Sequence, residues 1–305
     1  MKKIFFENDK NLYKANLHCH TTVSDGIRTP SEIKAAYTEK GYSIVAFTDH
    51  HMLKPHEYLN DEGFLAINAL EVECYDKDSP KTYHLNLYAT DPALTTPPLP
   101  AMDYRDYAAV NRYIAERNAE GFLVCYNHPR WSLQTFEEYS LLEGCFAMEI
   151  YNHNCEVSDG LCGYAPFVYD EMLRYGKGGN LFCVAVDDCH VEADFFGGVT
   201  YVNSAGLGYA DVMAALRAGD FYCGKGDGAR ILEISLDGDE LTVKCSPCRR
   251  VAVYTAGRKC YVKEGDGLTE VKFRTAGAAD GYFRVVCLDE LGNEACSNAY
   301  LLNIP

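Results

Sequence analysis

No apolar run in the 305-residue chain approaches the ~18 residues that a helix needs to cross a bilayer. The opening Met1-Lys2-Lys3-Ile4-Phe5-Phe6 could begin a signal peptide, but Glu7, Asn8, Asp9 and Lys10 interrupt any apolar core. We therefore expect a soluble, cytoplasmic protein with no membrane partner. Positive charge is scarce: 28 Lys and Arg stand against 44 Asp and Glu, a net charge of −16. Binding to a nucleic-acid polymer, which leaves a basic footprint, is not expected. A small anionic substrate is still allowed, because bound divalent cations invert the field inside an acidic shell. No internal repeat or low-complexity tract is visible. Gly224-Lys225-Gly226-Asp227-Gly228 has the composition of a phosphate loop without Walker A spacing, and reads better as a linker. Histidine is absent after His190, so no metal chemistry is expected in the last part of the chain.

Cysteine, by contrast, is abundant, with 14 residues. Without a secretory signal these read as reduced thiols, many buried as small hydrophobes. Only Cys245-Ser246-Pro247-Cys248 has Cys-x-x-Cys spacing. One such pair falls short of the four ligands of a structural zinc site.

Short apolar runs alternate with helical patterns up to about Gly228. Strands are expected at 12–17, 43–48, 65–72, 84–89, 122–126, 146–151 and 181–186. Thr29-Pro30-Ser31-Glu32 starts a helix, with Thr as cap, Pro at the first position and Glu three residues after the cap. Further helices are expected at 104–120, 165–175 (ending in Gly176-Lys177-Gly178-Gly179) and 211–218. This alternation predicts β/α units with a largely parallel sheet or barrel. From about 229 the pattern becomes alternating and turn-punctuated, with strands expected at 231–236, 241–245, 251–255, 271–274, 282–288 and 299–303. We expect a barrel domain over 1–228 and a small β-sandwich over 229–305.

The potential ligands fall at the C-terminal ends of the predicted strands, where active sites of β/α barrels lie. His18 and His20 share one face of an extended chain, because side chains alternate in a strand. His50, His84, His128 and His190 end or begin other strands, beside Asp25, Asp49, Glu71 and Asp188. Clustered imidazoles and carboxylates suit Mn, Fe or Zn. Glu73 competes with Glu71 and Asp187 with Asp188. Strand position favours Glu71, and the Asp-x-His spacing favours Asp188. Asp49 orients an imidazole or is a turn residue; both readings stay open. His84 is the histidine least anchored by a motif. His51, His56 and His153 read as surface or supporting residues. Arg130, after His128-Pro129, is a candidate phosphate clamp, and Asn152 a candidate contact to a substrate oxygen. Arg28 and Lys225 are weaker candidates.

His18-x-His20, Ser24-Asp25-Gly26, Thr48-Asp49-His50, the Glu71 segment, Asn127-His128-Pro129 and Asp188-x-His190 together resemble the PHP (polymerase and histidinol phosphatase) family over about residues 10–225. Phe221-Tyr222-Cys223-Gly224 and the run from Gly292 to Leu301 are similar to its small stand-alone hydrolases, some of which carry a C-terminal β-domain. The resemblance implies a distorted seven-stranded β/α barrel with two or three divalent ions. It implies His18, His20 and Asp188 on the first ion, Glu71 bridging, and His84 and His128 on the second. Asp25, His50 and His190 would line a third position, or contact substrate and leaving group; some family members have His in place of Asp25. The implied activity is hydrolysis of a small phosphomonoester or phosphodiester by a hydroxide held between two ions, with Arg130 offsetting phosphoryl charge and His50 or His190 as general acid. The cysteines, Cys19 and Cys189 included, have no expected catalytic part. Alternatives are an amidohydrolase or carboxylesterase using the same centre, and a metal-binding module without turnover. A polymerase-associated nuclease fits less well with so acidic a chain.

Overall fold

The computed structural model describes residues 2–75, 78–175, 181–275 and 281–302. The elements are, in order, β1 (Lys3–Glu7), β2 (Asn11–Asn16), α1 (Pro30–Glu39), β3 (Tyr42–Phe47), β4 (Leu65–Tyr75), β5 (Thr82–Ala89), α2 (Tyr107–Glu120), β6 (Phe122–Tyr126), α3 (Phe136–Tyr139), β7 (Ala147–Asn152), α4 (His153–Val157), α5 (Pro166–Tyr175), β8 (Phe182–Val186), β9 (Gly198–Ser204), α6 (Tyr209–Ala218), β10 (Phe221–Lys225), β11 (Ile231–Asp237), β12 (Glu240–Thr255), β13 (Cys260–Arg274), β14 (Gly281–Leu288), β15 (Glu294–Ser297) and β16 (Tyr300–Leu302). The expected helix end Gly176 to Gly179 and the strand end Asn303 lie outside the described residues.

Local chemistry sets the boundaries. Thr29 and Glu32 form the reciprocal cap of α1, with Glu32 N donating to Thr29 Oγ1 at 3.3 Å and Thr29 N to Glu32 Oε2 at 2.8 Å. Asp106 Oδ1 accepts from Ala109 N at 3.0 Å, so α2 starts at Tyr107, three residues later than its apolar periodicity suggests. Gly121 closes it at φ 104°, a conformation natural to glycine.

The sheet is mixed rather than largely parallel. Ladders β2–β3, β3–β4, β6–β7 and β7–β8 are parallel, whereas β4–β5 and β5–β6 are antiparallel. The connection from β4 to β5 is too short to hold the crossover that a parallel pair requires, so the two strands form a hairpin. The chain beyond β2 meets the chain beyond β8: Asp188 N donates to His18 O at 2.9 Å, His20 N to Cys189 O at 3.4 Å, and Cys19 bridges Cys189 in parallel. Two antiparallel strands with no sequence expectation, β9 and β10, follow on from β2.

The last part of the chain is β-rich as expected. Expected strands 241–245 and 251–255 are one long strand, β12. N-terminal β1 pairs with β11, and β10 pairs with β15, so hydrogen-bonded ladders connect this region to the rest. Gly224 and Lys225, expected in a linker, belong to β10.

A buried ion pair ties α5 to β14. Arg284 donates to both Asp170 oxygens, from Nε at 2.9 Å and from NH2 at 2.8 Å, and Tyr282 OH donates to Asp170 Oδ1 at 3.0 Å. Removing the carboxylate would leave a buried guanidinium unpaired. Asp170→Ala is therefore expected to lower unfolding free energy by ~3–5 kcal/mol, read from the urea midpoint; a change within ~0.5 kcal/mol would show that the pair is not needed.

Candidate metal centre

The ends of β2, β3, β4, β6, β7 and β8, together with β5, bring the predicted residues together. Glu71, on β4, is buried and lies in the middle. Its Oε1 is 2.9 Å from His84 Nδ1 and 3.3 Å from His128 Nε2. Its Oε2 is 3.3 Å from His20 Nε2, 3.5 Å from His18 Nε2 and 3.3 Å from His50 Nδ1. One carboxylate thus faces two sets of imidazoles with separate oxygens. Glu73, two residues on, lies nearer solvent and pairs with His51 at 3.3 Å.

Asp188 completes the first set. Its Oδ1 lies 3.1 Å from His18 Nε2 and 3.2 Å from His20 Nε2, and those two nitrogens are 3.0 Å apart. Asp188 Oδ1 and His50 Nδ1 are buried without a hydrogen bond. Asp25, His50 and His190 group with His20 on the open side. Asp25 is 3.6 Å from each of His50 Nε2 and His190 Nε2, and its side chain is 52% exposed. Donor atoms of His18, His20 and Asp188, of Glu71, His84 and His128, and of His20, Asp25, His50 and His190 therefore converge as three sets, each within 4.8 Å. Nitrogen lone pairs and carboxylate oxygens aimed at one another at such distances suit divalent cations.

Electrostatics agree. Burial alone would lower His18, but the charges of Asp188, Glu71 and Glu149 hold it well above the ordinary imidazole value. Burial also opposes charge on His20, yet the adjacent carboxylates of Asp188 and Glu71, at 3.2 and 3.3 Å, push it up to about 10. Glu71, which burial would raise, is instead held well below the carboxylate range by His18, His84 and His128. Burial lowers His50. Without a metal, protons on the imidazoles balance the buried carboxylates; a metal ion would do so in their place.

Supporting residues fix the ligand geometry. Glu149 is the one that sequence reasoning missed. Its Oε1 lies 2.7 Å from His18 Nδ1, and its Oε2 accepts from His128 N at 2.9 Å. A carboxylate accepts, so His18 carries its proton on Nδ1 and turns Nε2 to the centre. A lone acidic residue inside the buried strand Ala147–Asn152 was the available signal. Asn127 Nδ2 donates to Glu71 Oε1 at 2.8 Å. Asn152 donates to Glu149 at 2.9 Å and Asp188 at 3.0 Å, and its oxygen accepts from Cys155 N. Its polar atoms are thus used within the protein rather than turned to a substrate. Asp49 Oδ1 accepts from Thr21 N at 2.8 Å and from Ser24 Oγ at 2.9 Å; it holds the turn that carries Asp25. Gly26 closes that turn where a Cβ would lie 2.4 Å from His20 O. Asp187 accepts from the backbone N–H groups of Phe196, Gly197 and Gly198, away from the centre.

A cavity of about 420 Å³ opens onto Asp25, His50, Glu71, His84, Asp188 and His190. Among the described residues no Lys or Arg lines it. Arg130 lies outside, and its NH1 donates to Tyr164 O at 3.0 Å. The backbone turns at His128, with φ 21°, and presents Trp131 to the cavity instead. Arg28 pairs with Glu192, and Lys225 with Glu156. His56 packs on Phe47, and His153 contacts Tyr151 OH. Substituting Glu149→Gln would leave His18 without its charged orienting partner. Divalent-ion affinity is expected to fall ~10–100-fold by calorimetric titration; unchanged affinity would deny Glu149 this part.

No curated protein matches the chain. Solved structures similar to it include a two-domain protein from Bacteroides vulgatus, described as containing a predicted PHP-like metal-dependent phosphoesterase, with 14% identity, TM-score 0.49, and coverage of 99% of this chain and 98% of that one. Another, from Bifidobacterium adolescentis and provisionally named a metal-dependent phosphoesterase, has 15% identity, TM-score 0.43, and coverage of 59% of this chain and 88% of that one. Residues 16–162 match the family model described as the PHP domain.

Proposed function

We propose that the chain is a metal-dependent phosphoesterase acting on a small phosphomonoester or phosphodiester. The observation that carries this reading is Glu71, whose two oxygens face two separate sets of histidines. His18, His20 and Asp188 would hold one ion, His84 and His128 a second, and Glu71 both. Asp25, His50 and His190 would hold a third ion or meet the leaving group. Bound divalent ions would supply Lewis acidity toward phosphoryl oxygens and lower the pKa of water. Mn, Fe and Zn all suit this donor set.

The protein's own groups divide the remaining work. Glu149, Asn127 and Asn152 hold His18, Glu71 and Asp188 in place. His50 and His190, on the open side, are within reach of a departing oxygen that needs a proton. With no Lys or Arg among the described residues that line the cavity, charge on the phosphoryl group would be balanced by the ions, and Arg130 would serve the loop rather than the substrate. We read the run β2–β8 as the distorted seven-stranded barrel of the family, supported by the Cys19–Cys189 bridge. All candidate ligands precede residue 228, which supports keeping 1–228 as the functional unit and 229–305 as an accompanying β-domain.

Metal-loaded protein assayed on phosphate monoesters, phosphate diesters and carboxyl esters tests the reading. Turnover confined to phosphate esters is expected. Carboxyl-ester turnover would select the amidohydrolase or esterase alternative, and an inert protein the binding module. Elemental analysis of Glu71→Ala should show most of the metal gone, while Glu73→Ala keeps it; the reverse would move the bridge to Glu73. Cys19→Ser should turn over within a few-fold of wild type, and complete loss would overturn the assignment of chemistry to the ions and imidazoles.

A further inference from the structure

Three thiols in the histidine-free part of the chain also converge. Cys245 and Cys248 lie on β12 and Cys287 on β14, all three are buried, and their sulfurs lie within 4.8 Å of one another. A regular strand would not produce this group, because residues three apart point to opposite faces. Along β12 the inward positions are Leu241, Val243 and Cys245, and later Val251 and Val253. Cys248 is out of phase with both sets, yet it is fully buried. The register with β13 shifts between Lys244 and Cys248, and again between Cys248 and Arg250.

Between Lys244 and Cys248 β12 carries two residues more than β13, and between Cys248 and Arg250 β13 carries two more than β12; Cys248 turns inward within this irregular stretch. The segment is built for this. Pro247, which lacks an N–H, sits in the bulge, and Ser246 exchanges hydrogen bonds with Arg230 through N to Arg230 O at 3.0 Å and Oγ from Arg230 N at 2.9 Å. On its other edge β12 leaves β11 after Cys245 and takes up β14 from Arg250, where Val251 pairs with Cys287. Filling a core needs no such device, since the regular alternation already supplies Leu and Val.

We propose that Cys245, Cys248 and Cys287 form a site for a thiophilic d10 metal ion, separate from the histidine centre. Binding would replace each S–H by a metal–sulfur bond, with the proton going to solvent. Among the described residues no fourth His, Cys, Asp or Glu joins the group. Three thiolates complete the shell of Cu(I), whereas Zn(II) usually takes four ligands. The ligand count therefore favours Cu(I).

The test uses the reduced, metal-free full chain titrated anaerobically with Cu(I) and, in parallel, with Zn(II). One Cu(I) per chain with an all-sulfur shell in X-ray absorption is expected, and it should be lost in the Cys245→Ser, Cys248→Ser, Cys287→Ser triple variant. A sulfur-bound Zn(II) that is lost in the same variant would also support the site, with zinc as its occupant. No sulfur-bound ion in either titration, or a sulfur shell that persists in the triple variant, overturns it. Alkylation mapping of wild type under partial denaturation needs no variant: ion-loaded protein should modify these three cysteines at least tenfold more slowly than ion-free protein. Equal rates would overturn the proposal.

Discussion

A buried carboxylate costs several kcal/mol unless positive charge or strong donors surround it. Glu71 meets that requirement with five imidazoles and the Asn127 amide. The histidines depend on the carboxylates in turn, since burial by itself would discharge them. This mutual dependence explains why the strand ends must converge. His18 and His20 come from the chain after β2, His128 from after β6 and Asp188 from after β8, and each is held by an inter-strand or carboxylate hydrogen bond. Asp188 N donates to His18 O, and His128 N to Glu149. Asp188 at φ 54° and His128 at φ 21° occupy backbone conformations that such bonds must maintain.

The acidic balance of the chain takes on meaning here. Without metal ions the protonated imidazoles only balance the buried carboxylates and leave no excess positive charge to draw an anionic substrate. With divalent ions present, the same carboxylates hold positive charge at the cavity. In the proposed phosphoesterase, with no Lys or Arg among the described residues of the cavity, the ions rather than basic side chains would balance phosphoryl charge. Trp131 adds an apolar wall beside His84 and His128, its ring centroid 5.3 Å and 4.9 Å from theirs.

Much of this centre was legible in the sequence because strand alternation acts over one or two residues. His18-x-His20 needs only an extended chain to share a face, whereas Asp188, at φ 54°, leaves the extended region and its Asp-x-His pair reaches the centre through that turn. What the sequence alone could not show is what depends on distant pairing or on a single backbone turn. Arg130 adjoins His128 in sequence, yet the turn at His128 gives the cavity to Trp131. Asn152 was correctly placed at a strand end, but its amide bonds both Glu149 and Asp188, which only the assembled sheet reveals. The antiparallel β4–β5 hairpin, which sets Glu73 opposite His84 and leaves Glu71 to reach its ring, cannot be told from a parallel pair by apolar patterning alone. The pairing of β1 with β11 spans most of the chain and leaves no local trace.

Two of the cysteine groups show the same limit in another form. Cys19 and Cys189 lie between ligands on adjoining strands, their sulfurs 3.3 Å apart, because the outward partners of an inward His-x-His and Asp-x-His must themselves face each other when the strands pair. Their closeness follows from the metal centre and needs no separate cause. Cys248 differs, because nothing in the alternation of β12 brings it inward, and two register shifts are needed to do so. A contact that regular geometry would produce says little about function. One that arises where the ladder loses its register, as β12 passes from β11 to β14, is not given by alternation, and there three sulfurs meet.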